Sequence, residues 1–396
     1  MKFLNEHQHL HNLRRYTPEW YDFRQQGLGG SDTGAVLRIN PYHSVWQLWE
    51  EKVGLRNPNK KLNESMLYGL QLEDIVSRMW CLYDDQIDGD KIPTYVNRYS
   101  AYEQKLAVDP ETKISDFYVR RNNRVNGIIT NDNFPWLFVS LDRIIPKNQW
   151  CFKPGRPNLT TYAPLELKTM NYYVSNKFID DIPPYYHSQG GTYMVVLEVD
   201  YVEFGVLVGG QKFSLKPFMQ DAEFTEHLID TTHDFWYKNV LPARKIFEQM
   251  KRFEELGEYR AAEAKQEELR HYEPDADGTQ QYVDYLTEKA KTELEDDEGQ
   301  ATLQQNTVVW DHGFNYLQLG ALIKSLESAQ TEKKAAILEF MRNTKISRID
   351  FGENGYISWK APKNSENRRF LNMLKIEVAK DWVDGQVAKI TFETEN

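Results

Sequence analysis

Two side chains of opposite charge, Glu166 and Lys168, stand two positions apart in the apolar segment A-P-L-E-L-K-T. In an extended strand alternate residues share a face, so Glu166 and Lys168 project together while Leu165 and Leu167 enter the opposite layer. Upstream, W-L-F-V-S-L-D closes an apolar run on a lone carboxylate, Asp142. An acid and an ammonium on one face, beside an aspartate from a neighbouring strand, form a set that holds a divalent cation next to a reacting phosphate. A surface salt pair on an edge strand would also read Glu-x-Lys.

The surrounding elements must present these groups. Thr17-Pro18-Glu19 has the form of a helix start, with Thr17 as cap and Pro18 in the first position. Gly27, Gly29 and Gly30 break that helix, and Ser31 or Asp32 caps the next. A Gly-Gly-Ser turn entering a helix offers backbone N–H groups to a phosphate, with Arg24 as a matching fork; an ordinary interhelical loop has the same composition. Val45, Leu48, Trp49 and Val53 recur at helical spacing, with Trp46 and Trp49 as packing residues. In the next helix Leu72, Ile75, Val76, Met79 and Trp80 form an apolar stripe with Glu73 beside it, facing a cleft or paired with a nearby base.

Ile92–Val96, Gly127–Thr130 and Trp136–Asp142 are strand candidates, and Arg120-Arg121-Asn122-Asn123-Arg124 is a basic loop usable against phosphates or simply solvated. Pro183-Pro184 opens a helix in which Gln189 and Tyr193 share a face. Tyr201–Val208 is an expected buried strand and Asp221–Met250 an expected long helix. This order predicts an α/β fold, a mixed central sheet flanked by helices. In the tail, two helices around Tyr316–Leu326 and Ala335–Met341 precede a hairpin on an Asn354-Gly355 turn. Lys345, Arg348, Lys360, Lys363, Arg368 and Arg369 crowd that hairpin, as a nucleic-acid contact or a solvated basic face.

The net charge of −11 argues at first against a nucleic-acid partner. Its distribution changes the inference: residues 251–300 hold 7 basic and 16 acidic side chains, a net of −9. The rest is close to neutral, which leaves room for a local basic groove. The expected organisation is therefore a core over 1–250, an acidic helical insert or linker over 251–305, and a small C-terminal α+β extension over 306–396. Two cysteines exclude a four-cysteine zinc or iron–sulfur site within one chain. No apolar run approaches the roughly 18 residues of a membrane span. The polar start M-K-F-L-N-E-H-Q-H-L-H is unlike a signal peptide, so a cytoplasmic location is expected.

Five separated pieces stand in one order: W-Y-D-F-R-Q-Q-G-L-G-G-S-D, Y-G-L-Q-L-E-D, F-V-S-L-D, L-E-L-K and Q-G-G-T-Y. Together they resemble the YqaJ-type viral recombinase nucleases, relatives of phage lambda exonuclease in the PD-(D/E)xK superfamily. The resemblance covers about residues 16–250. It implies that Glu73, Asp142 and Glu166 bind catalytic Mg²⁺, or Mn²⁺ in its place, with the Leu167 carbonyl as a further ligand. Lys168 would orient and help deprotonate the attacking water. Arg24 and Ser31 would bind the 5′-terminal phosphate, and Ser140, Gln189 and Tyr193 would lie beside the active site against DNA. Many relatives read Q-x-Q where this chain has Gly191 in the second position.

The implied activity is 5′→3′ digestion of linear duplex DNA to 3′ single-stranded tails for a strand-annealing protein, with a homo-oligomeric ring as an implied assembly. An endonuclease or nickase of the same fold, and a non-catalytic DNA-end-binding protein, are the alternatives. The second of these is opposed by the presence of Glu73, Asp142, Glu166 and Lys168 together.

Overall fold

The computed structural model describes residues 4–58, 64–83, 94–146, 162–171, 182–293, 307–350, 356–360 and 370–373. Two units divide the chain, Met1–Leu294 and Glu295–Asn396.

The first unit is built on two sheets. One runs β1 (Gln8–His11), β4 (Ile128–Asn131), β5 (Leu137–Val139) and β2 (Leu28–Gly29) in that spatial order. The other runs β3 (Asn123–Arg124), β6 (Arg143–Ile145), β7 (Ala163–Met170), β8 (Tyr201–Val208) and β9 (Lys212–Met219). Within the second sheet β7 and β8 are parallel and the other pairs antiparallel, so the sheet is mixed as expected. A parallel pair needs a crossover, and the helix Pro184–Leu197 supplies it.

The expected strand Trp136–Asp142 shortens to β5, and a separate strand, β6, begins only after Asp142. β5 belongs to the first sheet and β6 to the second, and the chain changes sheets through Ser140, Leu141 and Asp142. Asp142 therefore sits at a junction between sheets rather than at the end of one strand. The Ile92–Val96 strand is also corrected where it is described: Thr94, Tyr95 and Val96 open the helix Thr94–Leu106.

Alternation along β7 places its apolar and charged residues in different layers. Leu165 and Leu167 join Val76, Trp80, Tyr201, Leu207 and Phe213 in a cluster under the helix Glu64–Leu82. Glu166 and Lys168 turn to the other face, where the helix Pro184–Leu197 packs. All eight residues of β8 are buried, the pattern of a strand covered on both faces. The expected long helix Asp221–Met250 is interrupted: Ala222–Asp234 passes through a π-helical turn, Phe235–Val240, into Leu241–Glu255. Pro242 has no N–H to give the preceding turn, and the wider turn accommodates it.

The acidic stretch is not a separate linker through residue 293. Its helices Tyr259–Leu269 and Gln280–Glu293 belong to the first unit, with Ala262, Leu269 and Tyr285 buried. The Tyr285 hydroxyl donates to Glu50 at 3.0 Å, and Trp46 lies against the Tyr282 and Tyr285 rings. Acidic side chains cover the outer faces while a few apolar positions dock, a pattern that net charge alone conceals.

In the second unit one helix of 37 residues, Val308–Thr344, replaces the two expected. No glycine or proline stands between Leu326 and Ala335 to end it. Beyond it Arg348–Asp350 pairs antiparallel with Tyr356–Lys360, which pairs with Phe370–Met373. The Asn354-Gly355 turn and the side chains of Lys360, Lys363, Arg368 and Arg369 lie outside the described residues. Among the described residues no helix is long and apolar enough to cross a membrane.

Candidate active site

β7 carries the centre of the site. Glu166 is buried and accepts three hydrogen bonds: from Lys168 Nζ at 2.7 Å, Gln189 Nε2 at 2.7 Å and Tyr193 Oη at 2.9 Å. Gln189 also donates to the Tyr193 hydroxyl at 2.6 Å, which locks both side chains of the crossover helix onto the carboxylate. Burial, with Asp142 adding like charge, pushes the Glu166 carboxyl up to about 7, against the opposing pull of Lys168. Burial alone would lower the Lys168 ammonium, but Glu166, Tyr186 and Asp142 outweigh it and hold the group above its ordinary value. Lys168 is thus a firm cation, 4.7 Å from the Tyr186 ring centre. A cation orients water and stabilises developing negative charge, but has no free lone pair to take a proton.

Asp142 reaches β7 from the sheet junction. β6 pairs with β7 only as far as Leu165, and the Leu167 N–H, next along that edge, donates to Asp142 Oδ2 at 3.0 Å. The other oxygen, Oδ1, takes a bond of 3.1 Å from Arg15. Glu73, buried on the helix Glu64–Leu82, meets Arg143 at 2.7 Å, Arg124 at 3.3 Å and Arg15 at 3.5 Å. Burial would lower the Arg15 guanidinium, but Asp142, Glu73 and Glu166 together raise it.

Glu73, Asp142, Glu166, Leu167 and Lys168 line one cavity of about 350 Å³ with Arg15. Mg²⁺ takes hard oxygen donors. Three carboxylates and a carbonyl-bearing residue around a spot where a guanidinium already bridges two acids are a donor set that fits it. No three His, Cys, Asp or Glu side chains among the described residues are gathered into a ready metal cage.

A second cavity, of about 470 Å³, is lined by Arg24, Ser31, Asp32, Lys52, Tyr185 and Gln189 among others. Tyr16, Met66, Lys168 and Tyr186 line both cavities. Thr17 caps the helix Pro18–Arg24 as expected, and Arg24 extends from its last turn against the Trp20 and Phe138 rings. The Arg24 guanidinium donates to Asp32 at 3.1 Å and to Ser31 Oγ at 3.4 Å. The expected cradle of backbone N–H groups is not what the turn presents. The following helix is one turn long, Thr33–Val36, and Asp32 itself accepts the Gly29 N–H at 2.9 Å. Lys52 completes the cluster, 3.0 Å from Asp32.

Gly30 links this turn to the carboxylate site, because a Cβ there would come within 2.8 Å of the Tyr193 ring. Gly191 faces away from Glu166, its Cβ direction meeting Phe224 and Leu228, so the polar contact of a Q-x-Q pattern has no counterpart at that position. Ser140 contributes its carbonyl, 3.4 Å from the Tyr193 hydroxyl, while its own Oγ is buried without a hydrogen-bond partner.

Residues 19–200 match the family model of the YqaJ-like viral recombinase domain. The uncharacterized protein YqaJ of Bacillus subtilis (strain 168) is 25% identical over 229 residues, and the match spans 56% of this chain and 56% of that protein. Among solved structures, the alkaline exonuclease LHK-Exo of Laribacter hongkongensis covers 70% of this chain and 99% of its own at 14% identity, with a TM-score of 0.34. The same enzyme in complex with dAMP aligns at 15% identity and a TM-score of 0.34. The mixed sheet, with Glu166 and Lys168 on its central strand and Asp142 alongside, agrees with the α/β fold class expected from the sequence.

Every sequence-predicted site residue lies in or beside these two adjoining cavities, apart from Ser140 and Tyr193, which stand behind Glu166. The expected basic loop is only partly turned outward, with Arg121 and Arg124 exposed. Arg120 is buried against the Trp80 ring and carbonyl, and Arg124 pairs with Glu73. Sequence reasoning missed Arg15, Arg143 and Lys52, and read Asp32 only as a helix cap. A buried carboxylate demands a partner, so Glu73 on the edge of an apolar stripe was the signal for Arg143 and Arg15. Lys52, in the last turn of the helix Val45–Val53, gives no such signal.

Proposed function

We propose that this chain is a Mg²⁺-dependent deoxyribonuclease that digests linear duplex DNA 5′→3′ from phosphorylated ends. Its products would be 3′ single-stranded tails for recombination through an annealing protein. The observation that carries the proposal is the shared wall: Lys168 borders both the cavity of Glu73, Asp142 and Glu166 and the cavity of Arg24 and Ser31. A terminal phosphate held by the Arg24 fork and the Ser31 hydroxyl lies beside the next phosphodiester, which meets Lys168. The family description, a viral recombinase domain, supports a role in recombination.

The chain's own residues divide the work. Glu73, Asp142 and Glu166, with the Leu167 carbonyl, would hold the metal. A bound divalent cation supplies Lewis acidity and a more acidic water. Gln189 and Tyr193 fix the Glu166 carboxylate in one orientation. Lys168 stabilises the charge that grows on the phosphoryl oxygens as the bond to the leaving 3′ oxygen breaks.

The test compares end-labelled linear duplex, with and without a 5′ phosphate, against closed circular DNA, in Mg²⁺ and then in EDTA. Processive loss of the 5′-phosphorylated strand, dependent on Mg²⁺ and absent on circles, is expected. Nicking of circles would replace this proposal with an endonuclease, and binding without cleavage in Mg²⁺ or Mn²⁺ with an end-binding protein.

A further inference from the structure

We infer that Arg15 is a resident counter-cation of the carboxylate site, which competes with the divalent metal and withdraws when the metal binds. The inference rests on the metal-dependent activity proposed above. One guanidinium spans the site: its NH2 is 3.1 Å from Asp142 Oδ1 and 3.0 Å from the Leu141 carbonyl, and its NH1 is 3.5 Å from Glu73 Oε2.

Charge arithmetic makes this position competitive. Glu73, Asp74, Asp142 and Glu166 bring four carboxyl groups, and Arg15, Arg124, Arg143 and Lys168 bring four positive charges within ion-pair distance. A divalent cation entering among the same oxygens adds positive charge to a set already neutralised, which is unfavourable at short range in a partly buried cavity. One resident cation has to leave, and the four are not equally placed to do so: the Arg124 side chain is 51% exposed but stands on β3 and pairs with Glu73 and Asp74, not with Asp142. Arg143 lies on β6 with a side chain only 5% exposed, tied also to Ser77 and to the Asp142 carbonyl. Lys168 lies on β7, bonded to Glu166.

Arg15 differs in its mounting. It lies between β1 and the helix Pro18–Arg24, outside any regular element, and its side chain is 28% exposed. The residue after it, Tyr16, has φ of 68°, a left-handed conformation that a bulky side chain rarely adopts. Such backbone persists where the surroundings over-determine it, and it is common at parts that switch. A cavity of about 650 Å³, lined by Arg14, Arg15, Asn126 and Gly127, adjoins the same carboxylates and gives the displaced guanidinium somewhere to go. Glu73 keeps Arg143 and Arg124 without it, and Asp142 keeps the Leu167 N–H.

The test titrates Mn²⁺ into the full chain, without DNA, and reads free Mn²⁺ by electron paramagnetic resonance. Four proteins are compared: wild type, Arg15→Gln, Arg15→Lys and Asp142→Ala. Arg15→Gln should bind Mn²⁺ at least roughly tenfold more tightly than wild type, the effect of about 1.4 kcal/mol of lost competition. Arg15→Lys keeps the charge but not the fork, so it should fall between them, and it decides the matter alone if Arg15→Gln does not fold. Asp142→Ala should bind most weakly. Wild-type binding with equal or weaker affinity in both Arg15 variants would overturn the inference and leave the metal-dependent activity standing. No Mn²⁺ binding in wild type or either Arg15 variant would overturn both.

Discussion

Replacing Asp32 by Asn should unsettle the cavity of Arg24 and Ser31 more than any change to its exposed rim. Asp32 is 8% exposed and receives Lys52 at 3.0 Å, Arg24 at 3.1 Å and the Gly29 N–H at 2.9 Å. Asparagine keeps the shape and removes the charge, so the Lys52 ammonium, with 5% of its side chain exposed, loses its counter-charge. Stranding one member of a buried pair costs about 3–5 kcal/mol, a large part of the roughly 5–15 kcal/mol that holds a domain together. Lys52→Met in the same chain removes the stranded charge and should restore part of that loss. Recovery stays incomplete because Lys52 also donates to the Arg24 carbonyl at 2.7 Å. Urea unfolding at neutral pH, followed by tryptophan fluorescence, measures each term. The pH dependence has a fixed sign. Burial would raise the Asp32 carboxyl, but Lys52 and Arg24 hold it well below its ordinary value. Its contribution is therefore complete above the unfolded value of about 4 and is lost as pH falls further. The gap between wild type and Asp32→Asn should be flat from neutral pH down to that point and close below it. A loss under about 1 kcal/mol, or a double variant as unstable as the sum of the two single ones, would refute the reasoning.

Three further outcomes are expected. Lys168→Ala should retain Mn²⁺ binding while single-turnover digestion slows roughly 10²- to 10³-fold, whereas Asp142→Ala should lose both; wild-type turnover in Lys168→Ala would remove β7 from the chemistry. Arg24→Ala should erase the rate ratio between 5′-phosphorylated and 5′-hydroxyl ends, and an unchanged ratio would make Arg24 purely structural. Gly30→Ala places a methyl group within 2.8 Å of the Tyr193 ring, so digestion should fall and stability drop by about 1–3 kcal/mol; wild-type activity and melting would show that the two cavities are not linked through that contact.

What was legible in the sequence follows from the range of the forces involved. The two-residue period of β7 foretold that Glu166 and Lys168 would leave Leu165 and Leu167 in another layer, because strand alternation is local. The Thr17-Pro18 helix start and the Pro183-Pro184 helix start were equally local. The sheet change at Asp142 was not, since W-L-F-V-S-L-D-R-I-I reads as one apolar run and only pairing with β4 and β7 divides it. Arg15 and Lys52 were hidden for the same reason: each meets its carboxylate across long stretches of chain, and nothing in its neighbours marks it. In the tail, two apolar stripes suggested two helices, although the residues joining them are good helix formers.

The junction at Ser140–Asp142 also sets when the candidate site can assemble. Asp142 is placed by a strand on either side of it, one in each sheet, and β7 lacks its parallel neighbour until residues 201–208 have been made and paired. Emerging from the ribosome, a chain that has completed Glu166 and Lys168 still has neither the Pro184–Leu197 helix that orients Glu166 nor the strand that seats β7. Pairings of such long sequence separation form late. On the proposed function, truncated or half-folded chains would carry Glu73, Asp142, Glu166 and Lys168 without the architecture that brings them together.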